Sequence, residues 1–208
     1  MISGLRIPDQ AFPYLLNQRG ALSDMQADRS RWESLYVDTI FAEFEMMRPF
    51  LPKTCDAILD IGSGLGGIDA LLNSHYGGDC RITLVDGVAD SSEVELHRKT
   101  FNNMSVARDF LKANEVPLHH ISHIDANDPK RCVSMKYDLV ISLKSWCFHV
   151  EPNEHIQLAV DASELGHTVL IVDLRRGKDD WRAQLARYFD FQMIQSGPKA
   201  ITTAMWLK

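Results

Sequence analysis

The stretch Ala57-Ile58-Leu59-Asp60-Ile61-Gly62-Ser63-Gly64-Leu65-Gly66-Gly67 decides how the chain is read. A short apolar run leads into a glycine-rich turn, and helical spacing begins straight after it. The glycines remove side chains that would hold the backbone away from a bound molecule. The helix beyond them opens with amides that have no intrahelical partner. Glycines 62, 64 and 67 fit the spacing GxGxxG, so the loop alone leaves dinucleotides and other adenosine ligands open.

Asp60 separates these cases. An acid two residues before the first glycine repels a pyrophosphate and attracts a cation. Asp86 ends the next apolar run, Arg81-Ile82-Thr83-Leu84-Val85, about twenty residues past the loop, where a carboxylate can accept both hydroxyls of a ribose. An adenosine ligand with a cationic amino-acid tail meets both demands.

Outward from this loop, apolar runs at 56–61, 81–85, 118–124, 137–143 and 167–173 alternate with helical patterns at 67–76, 103–114 and 152–165. That alternation predicts a doubly wound α/β sheet, mostly parallel, with helices on both faces. A further helix near 179–188 carries Trp181, Leu185 and Phe189. The runs 191–196 and 200–207, joined at Gly197-Pro198, read as a closing antiparallel pair, for about seven strands in all. Ahead of the sheet, Ser30-Arg31-Trp32-Glu33 reads as a capping box. The stripe Trp32, Tyr36, Ile40, Phe44 and Met47 after it predicts a helix whose apolar face is core, ended by Pro49 and Pro52. The expected organisation is an N-terminal helical cap or lid over 1–52 and a Rossmann-like core over 53–208.

With these motifs in this order, residues 55–208 resemble the class I S-adenosyl-L-methionine-dependent methyltransferases. Leu59 to Gly66 is similar to the family motif DxGxGxG and Val85-Asp86 to its second motif. The resemblance implies S-adenosylmethionine as cofactor. Asp60 and the Gly62, Ser63, Gly64 and Gly66 backbone would hold the methionine part, with Asp86 and Gly87 at the ribose. Asp125 and Ala126, after the third strand, match the place where the family often sets an acid on the adenine amine, and Asp128 is a second acid nearby. Ser142, at the end of the fourth strand, completes the expected cofactor set.

In such sheets the loop after the fourth strand faces the reacting group. Here it reads Lys144-Ser145-Trp146-Cys147-Phe148-His149. The Asp/Asn-Pro-Pro-aromatic motif of amino-methylating DNA enzymes is absent, which counts against base methylation. The stretch is similar to an SW-x-FH segment of bacterial and phage methyltransferases often described as small-molecule or sugar O-methylating enzymes. His149 suits a general base, because imidazole titrates near neutrality; its bland alternative is a cap on the helix opened by Pro152. Trp146 suits a pocket wall or a face for the sulfonium, with simple packing as the alternative. Lys144 and the run Arg175, Arg176 and Lys178 suit either an acidic substrate group or a solvated rim.

The chain has 208 residues, 45% of them hydrophobic and 24% charged, enough for a sizeable core. Its net charge of −6 gives no bulk attraction to nucleic acid or anionic membranes. No stretch approaches a membrane span and no apolar segment follows Arg6, so the cytoplasm is the expected location. Cys55, Cys80, Cys132 and Cys147 form no CxxC pair and read as buried thiols. His119, His120 and His123 lack zinc spacing, and no metal site is expected. The favoured expectation is a methyltransferase for a small hydroxyl- or amine-bearing molecule. The alternatives are a methyltransferase of RNA or protein, and a cofactor-binding subunit without catalysis.

Overall fold

The computed structural model describes residues 4–18, 28–87, 103–128 and 130–208. Strands β1 (Ala57–Ile61), β2 (Arg81–Asp86), β3 (Ile121–Asp125), β4 (Leu139–Ser142), β5 (Val169–Arg175), β6 (Phe189–Ser196) and β7 (Ala200–Leu207) form one sheet in the order β3-β2-β1-β4-β5-β7-β6. The first five run parallel, and β7 lies antiparallel between β5 and β6. The order reverses between β1 and β4, and ligands of open α/β sheets bind in the crevice at such a switch point.

Every residue of β1 is buried, as a parallel strand covered on both faces requires. On one face Ile58, Ile82, Leu84 and Ile141 pack against helices α3 (Gly67–His75) and α4 (Met104–Ala113). On the other, Leu59, Ile61, Val140 and Leu170 meet α5 (Pro152–Ala162) and α6 (Asp179–Leu185). The N-terminal helices α1 (Phe12–Gln18) and α2 (Arg29–Met47) add to the first face. Leu15, Leu16, Tyr36, Phe44 and Met47 belong to the same core as the strands. Tyr36 meets Phe110 edge-on at 6.2 Å, and Asn114 at the end of α4 exchanges two hydrogen bonds with the backbone of Arg6.

Several local expectations are corrected. Asp28, not Ser30, caps α2: its carboxylate accepts the Ser30 and Arg31 amides, and Glu33 pairs with Arg29 at 2.5 Å. An ionised carboxylate two residues earlier outcompetes the serine hydroxyl. Residues 118–120 form a 3-10 turn set up by Pro117, so β3 starts at Ile121 and His119 and His120 are not on the strand. Helix α5 ends at Ala162, and α6 stops at Leu185, leaving the buried Phe189 to open β6. Cys55, Cys80 and Cys147 are buried, but Cys132 is exposed.

Candidate functional site

The glycine turn lies at the carboxyl end of β1, beside the switch point. Gly62 has φ of +80°, and its amide donates to the Val85 carbonyl at 2.6 Å, locking the turn to β2. A Cβ on Gly62 would lie 1.8 Å from Ser145 Oγ, so the loop after β4 rests directly on this glycine. Gly66, at φ +78°, is the cap residue of α3, and its amide returns to the Ser63 carbonyl at 3.0 Å. Only glycine adopts both conformations without strain.

Asp86 joins the second half of the site to the first. One carboxylate oxygen accepts the Gly64 amide at 2.8 Å and the other the Gly87 amide at 2.7 Å. The acid therefore fixes the height of the glycine turn above the sheet. Asp125 pairs with Asp86 in the β2–β3 register, the Ala126 amide donates to the Asp86 carbonyl, and Asp125 accepts the Asn127 amide at 2.8 Å. Asp60, Asp86, Gly87, Asp125 and Ala126 thus lie along the ends of three neighbouring strands, as their motifs anticipate.

Beneath the turn, Asp60 of β1 and Asp69, in the first turn of α3, are both buried. Burial pushes Asp60 well above the usual carboxylate range, and the negative charges of Asp69 and Asp86 add to the shift. Burial likewise pushes Asp69 up to about 6. Both Asp69 oxygens and the Ser63 hydroxyl are buried without a hydrogen-bond donor or acceptor of their own.

The loop after β4 is braced from below. Ser142 Oγ donates to the Ile61 carbonyl at 2.7 Å and accepts the Trp146 amide at 2.9 Å, so this side chain is committed to tying β1 to the loop. Trp146 is fully buried, and its indole N–H donates to the Pro152 carbonyl at 3.0 Å. It supports the loop from inside and has no face open to a substrate. His149 stands at the exposed edge, its amide bonded to the Ser145 carbonyl and its ring 4.7 Å from that of Phe148. It does not cap α5, whose cap position is Glu151. Partial desolvation, with the nearby Arg175 charge, lowers the His149 pKa and favours the neutral base.

The cations of the rim are engaged within the chain. Lys144, at φ +57°, forms an ion pair with Glu43 of α2, and its amide donates to the buried Asp173. The Arg175 guanidinium lies over the Phe148 ring at 5.8 Å. Arg176 bonds Gly197 and Ser196 in the hairpin turn, and Lys178 sits over Trp181 at 5.0 Å. Among the described residues no three His, Cys, Asp or Glu side chains are grouped to hold a metal ion. No described helix is long and apolar enough to cross a membrane.

Four participants were not singled out from sequence: Asp69, Ser145, Glu43 and Asp173. Asp69 alone left a local trace, an acid in the first turn after the glycines, which reads equally well as a helix-dipole partner.

The same architecture occurs in solved structures that include methyltransferases. The O-methyltransferase TomG from Streptomyces achromogenes, involved in tomaymycin synthesis and solved with SAM, is 14% identical to the chain. The match covers 98% of this chain and 92% of TomG at a TM-score of 0.58. A protein described as an rRNA methylase from Clostridium thermocellum is 13% identical, covering 81% of this chain and 97% of its own at 0.55. Cofactor-bound Rv0187 from MTB is 16% identical, covering 96% and 90% at 0.54. The chain has the fold of the class I S-adenosylmethionine-dependent methyltransferases, seven strands with a reversed final hairpin. No family model matches the sequence, and no curated protein matches it.

Proposed function

We propose that the protein is an S-adenosylmethionine-dependent methyltransferase whose acceptor is a hydroxyl or amine of a small molecule. The observation that carries this reading is the glycine turn, bare of side chains and tied by its Gly64 amide to Asp86, at the switch point of a methyltransferase fold. The residues present suit the cofactor. The bare turn at Gly62, Ser63, Gly64 and Gly66 would receive the methionine part, with Asp60 beneath its ammonium. Asp86 and Gly87 would meet the ribose, and Asp125 and Ala126 the adenine. When bound, the cofactor supplies an electrophilic methyl on a sulfonium.

The chain's own contribution is alignment, exclusion of water and proton removal. Ser142 and Trp146 hold the loop after β4 at a fixed height over β1, and Ser145 closes it onto Gly62. His149, neutral near physiological pH, is placed on that loop to take the acceptor's proton at an imidazole nitrogen. A small-molecule acceptor is supported by the net charge of −6 and by the internal engagement of Lys144, Arg175, Arg176 and Lys178. Lys144 is held in an ion pair, and contacts to rings, a carbonyl and a hydroxyl fix the orientation of the other three, which limits their reach towards a phosphate backbone.

Calorimetry with S-adenosylhomocysteine and NAD tests the cofactor, and equal or tighter NAD binding would reject it. Transfer of labelled methyl groups to a panel of small hydroxyl and amine compounds, compared with bulk RNA and protein, tests the acceptor. Methylation of RNA with steep loss at raised salt would replace the small-molecule reading. Cofactor binding without turnover on any acceptor class would favour the non-catalytic alternative.

A further inference from the structure

Strand β4 ends at Ser142, whose pairing with Val172 is the last of its ladder with β5. Of the three non-glycine residues with positive φ among the described residues, two stand in the loop that follows, Lys144 at +57° and Cys147 at +64°. A side chain disfavours that backbone region, which persists only where the surroundings over-determine it. Here the surroundings are the carboxyl end of β5.

Asp173, one residue beyond Val172, receives the Lys144 amide on Oδ2 at 3.2 Å, so a side chain takes the place of the next ladder acceptor. Its other oxygen, Oδ1, accepts the hydroxyl of Thr202, its register partner on β7, at 2.6 Å. Two residues further along β5, the Arg175 amide donates to the Cys147 carbonyl at 2.9 Å. Both left-handed residues of the loop are thus held by β5, the first through a carboxylate and the second through the backbone. The Lys144 ammonium is held separately, by Glu43 of α2.

Asp173 is buried, and among the described residues no Lys, Arg or His side chain forms an ion pair with it. A carboxylate taken out of water without a cation is costly, and an apolar residue would fill the space without that cost. What the acid adds is direction. Its two oxygens bind two partners, one in the final hairpin and one in the loop, and so fix the backbone from which Ser145 rests on Gly62 and on which His149 is carried.

We propose that Asp173 is the positioning residue of the loop after β4: it holds Lys144 in its left-handed turn and so sets where Ser145 and His149 stand. That this placement serves methyl transfer rests on the reading of the loop as the acceptor side, with His149 as the base. Asp173 acts through Lys144 and touches neither cofactor nor acceptor.

Nuclear magnetic resonance of the ligand-free chain tests this with two variants. Asp173→Asn removes the charge but keeps both partners, since the amide oxygen can accept from Lys144 and the amide nitrogen can donate to Thr202 Oγ1. Asp173→Ala removes both. In Asp173→Ala the Lys144 amide is expected to exchange at least about tenfold faster than in the wild type. The His149 imidazole should then titrate at higher pH, because a loosened loop returns the ring to water and takes it away from Arg175. Loss of a negative charge alone would move His149 the other way, so the sign separates displacement from electrostatics. A role confined to stability would lower the melting temperature and leave the His149 titration of the folded protein in place. Asp173→Asn should keep the wild-type exchange at Lys144 and show no rise at His149.

A wild-type Lys144 amide that exchanges as fast as an open-loop amide overturns the proposal. So does a His149 titration that is unmoved or lowered in folded Asp173→Ala. Should that variant fail to fold, Thr202→Val, which frees Oδ1 and leaves the carboxylate, takes its place, and unchanged exchange at Lys144 there overturns the proposal. Methyl transfer to the small-molecule panel separates the two readings. Transfer by His149→Ala within a few-fold of wild type overturns the base reading and leaves the hold of Asp173 on the loop standing.

Discussion

Ser145 occupies the space that a side chain on Gly62 would fill, its Oγ 1.8 Å from the position of the missing Cβ. The two residues belong to loops that follow β1 and β4, the strands on either side of the switch point. The cofactor turn and the proposed acceptor loop are therefore mutually dependent surfaces, and a change in one must displace the other.

Gly62→Ala should consequently lower stability by roughly 2–4 kcal/mol, combining a left-handed backbone strain with a steric clash. Denaturant unfolding measures the loss. Ser145→Gly in the same chain should recover the steric part only, leaving the backbone part. Full additivity of the two substitutions would show that the loops do not touch.

Asp86→Ala removes the acceptor of the Gly64 amide as well as the proposed ribose contact. Affinity for S-adenosylhomocysteine should fall by roughly 1.5–3 kcal/mol, the usual size for hydrogen bonds to a charged group. Hydrogen exchange at Gly64 should quicken in the free protein. Unchanged exchange together with unchanged affinity would remove Asp86 from the site.

His149→Ala should reduce turnover about 100-fold or more while cofactor affinity stays constant. The sign of the pH dependence follows from the lowered pKa. The imidazole is already neutral at pH 7, so wild-type turnover should be flat above the ordinary histidine value of 6.5 and fall only below it. An acceptor that loses its proton without help would leave the folded variant within a few-fold of wild type, and His149 would then only orient it.

His155 provides a separate pH test. It is buried in α5, and desolvation, reinforced by the charge of Arg131 3.3 Å from its Nδ1, lowers its pKa to about 4. A group whose folded pKa lies below its unfolded value resists protonation in the fold. Its contribution to stability is complete above pH 6.5 and is lost as pH falls towards 4. Melting scans across that window should show wild type losing roughly 1–3 kcal/mol more than His155→Gln. Parallel curves would mean that acid sensitivity arises elsewhere.

What could be read from the chain alone was whatever is punctuated locally. The glycine turn, the acids at the ends of β1 and β2 and the Gly197-Pro198 hairpin announce themselves within a few residues, whereas the spatial order of the strands came only with the structure. Where two local signals competed, the reading went to the wrong one. Ser30 looked like a cap although Asp28 held the stronger acceptor, and the apolar spacing before His123 concealed the turn imposed by Pro117. The remaining site features depend on distance in the chain. Lys144 and Glu43 are 101 residues apart, and the commitment of Ser142 to the Ile61 carbonyl and of Trp146 to the core appears only once β4 lies beside β1. Asp69 was visible as an acid, but its burial belongs to the packing of a helix on a strand.

Helix α2 contributes Tyr36, Phe44 and Met47 to the core of the sheet and Glu43 to the loop that carries His149. The helical layer and the glycine-turn half of the sheet accordingly share one packed core. Replacing α2 by another helix would leave Phe110 of α4 without its edge-on partner Tyr36 and Lys144 without its tether. A substitution on the β4 loop or on the face of α2 that bears Glu43 should therefore be felt in both layers, because the Lys144–Glu43 pair joins them.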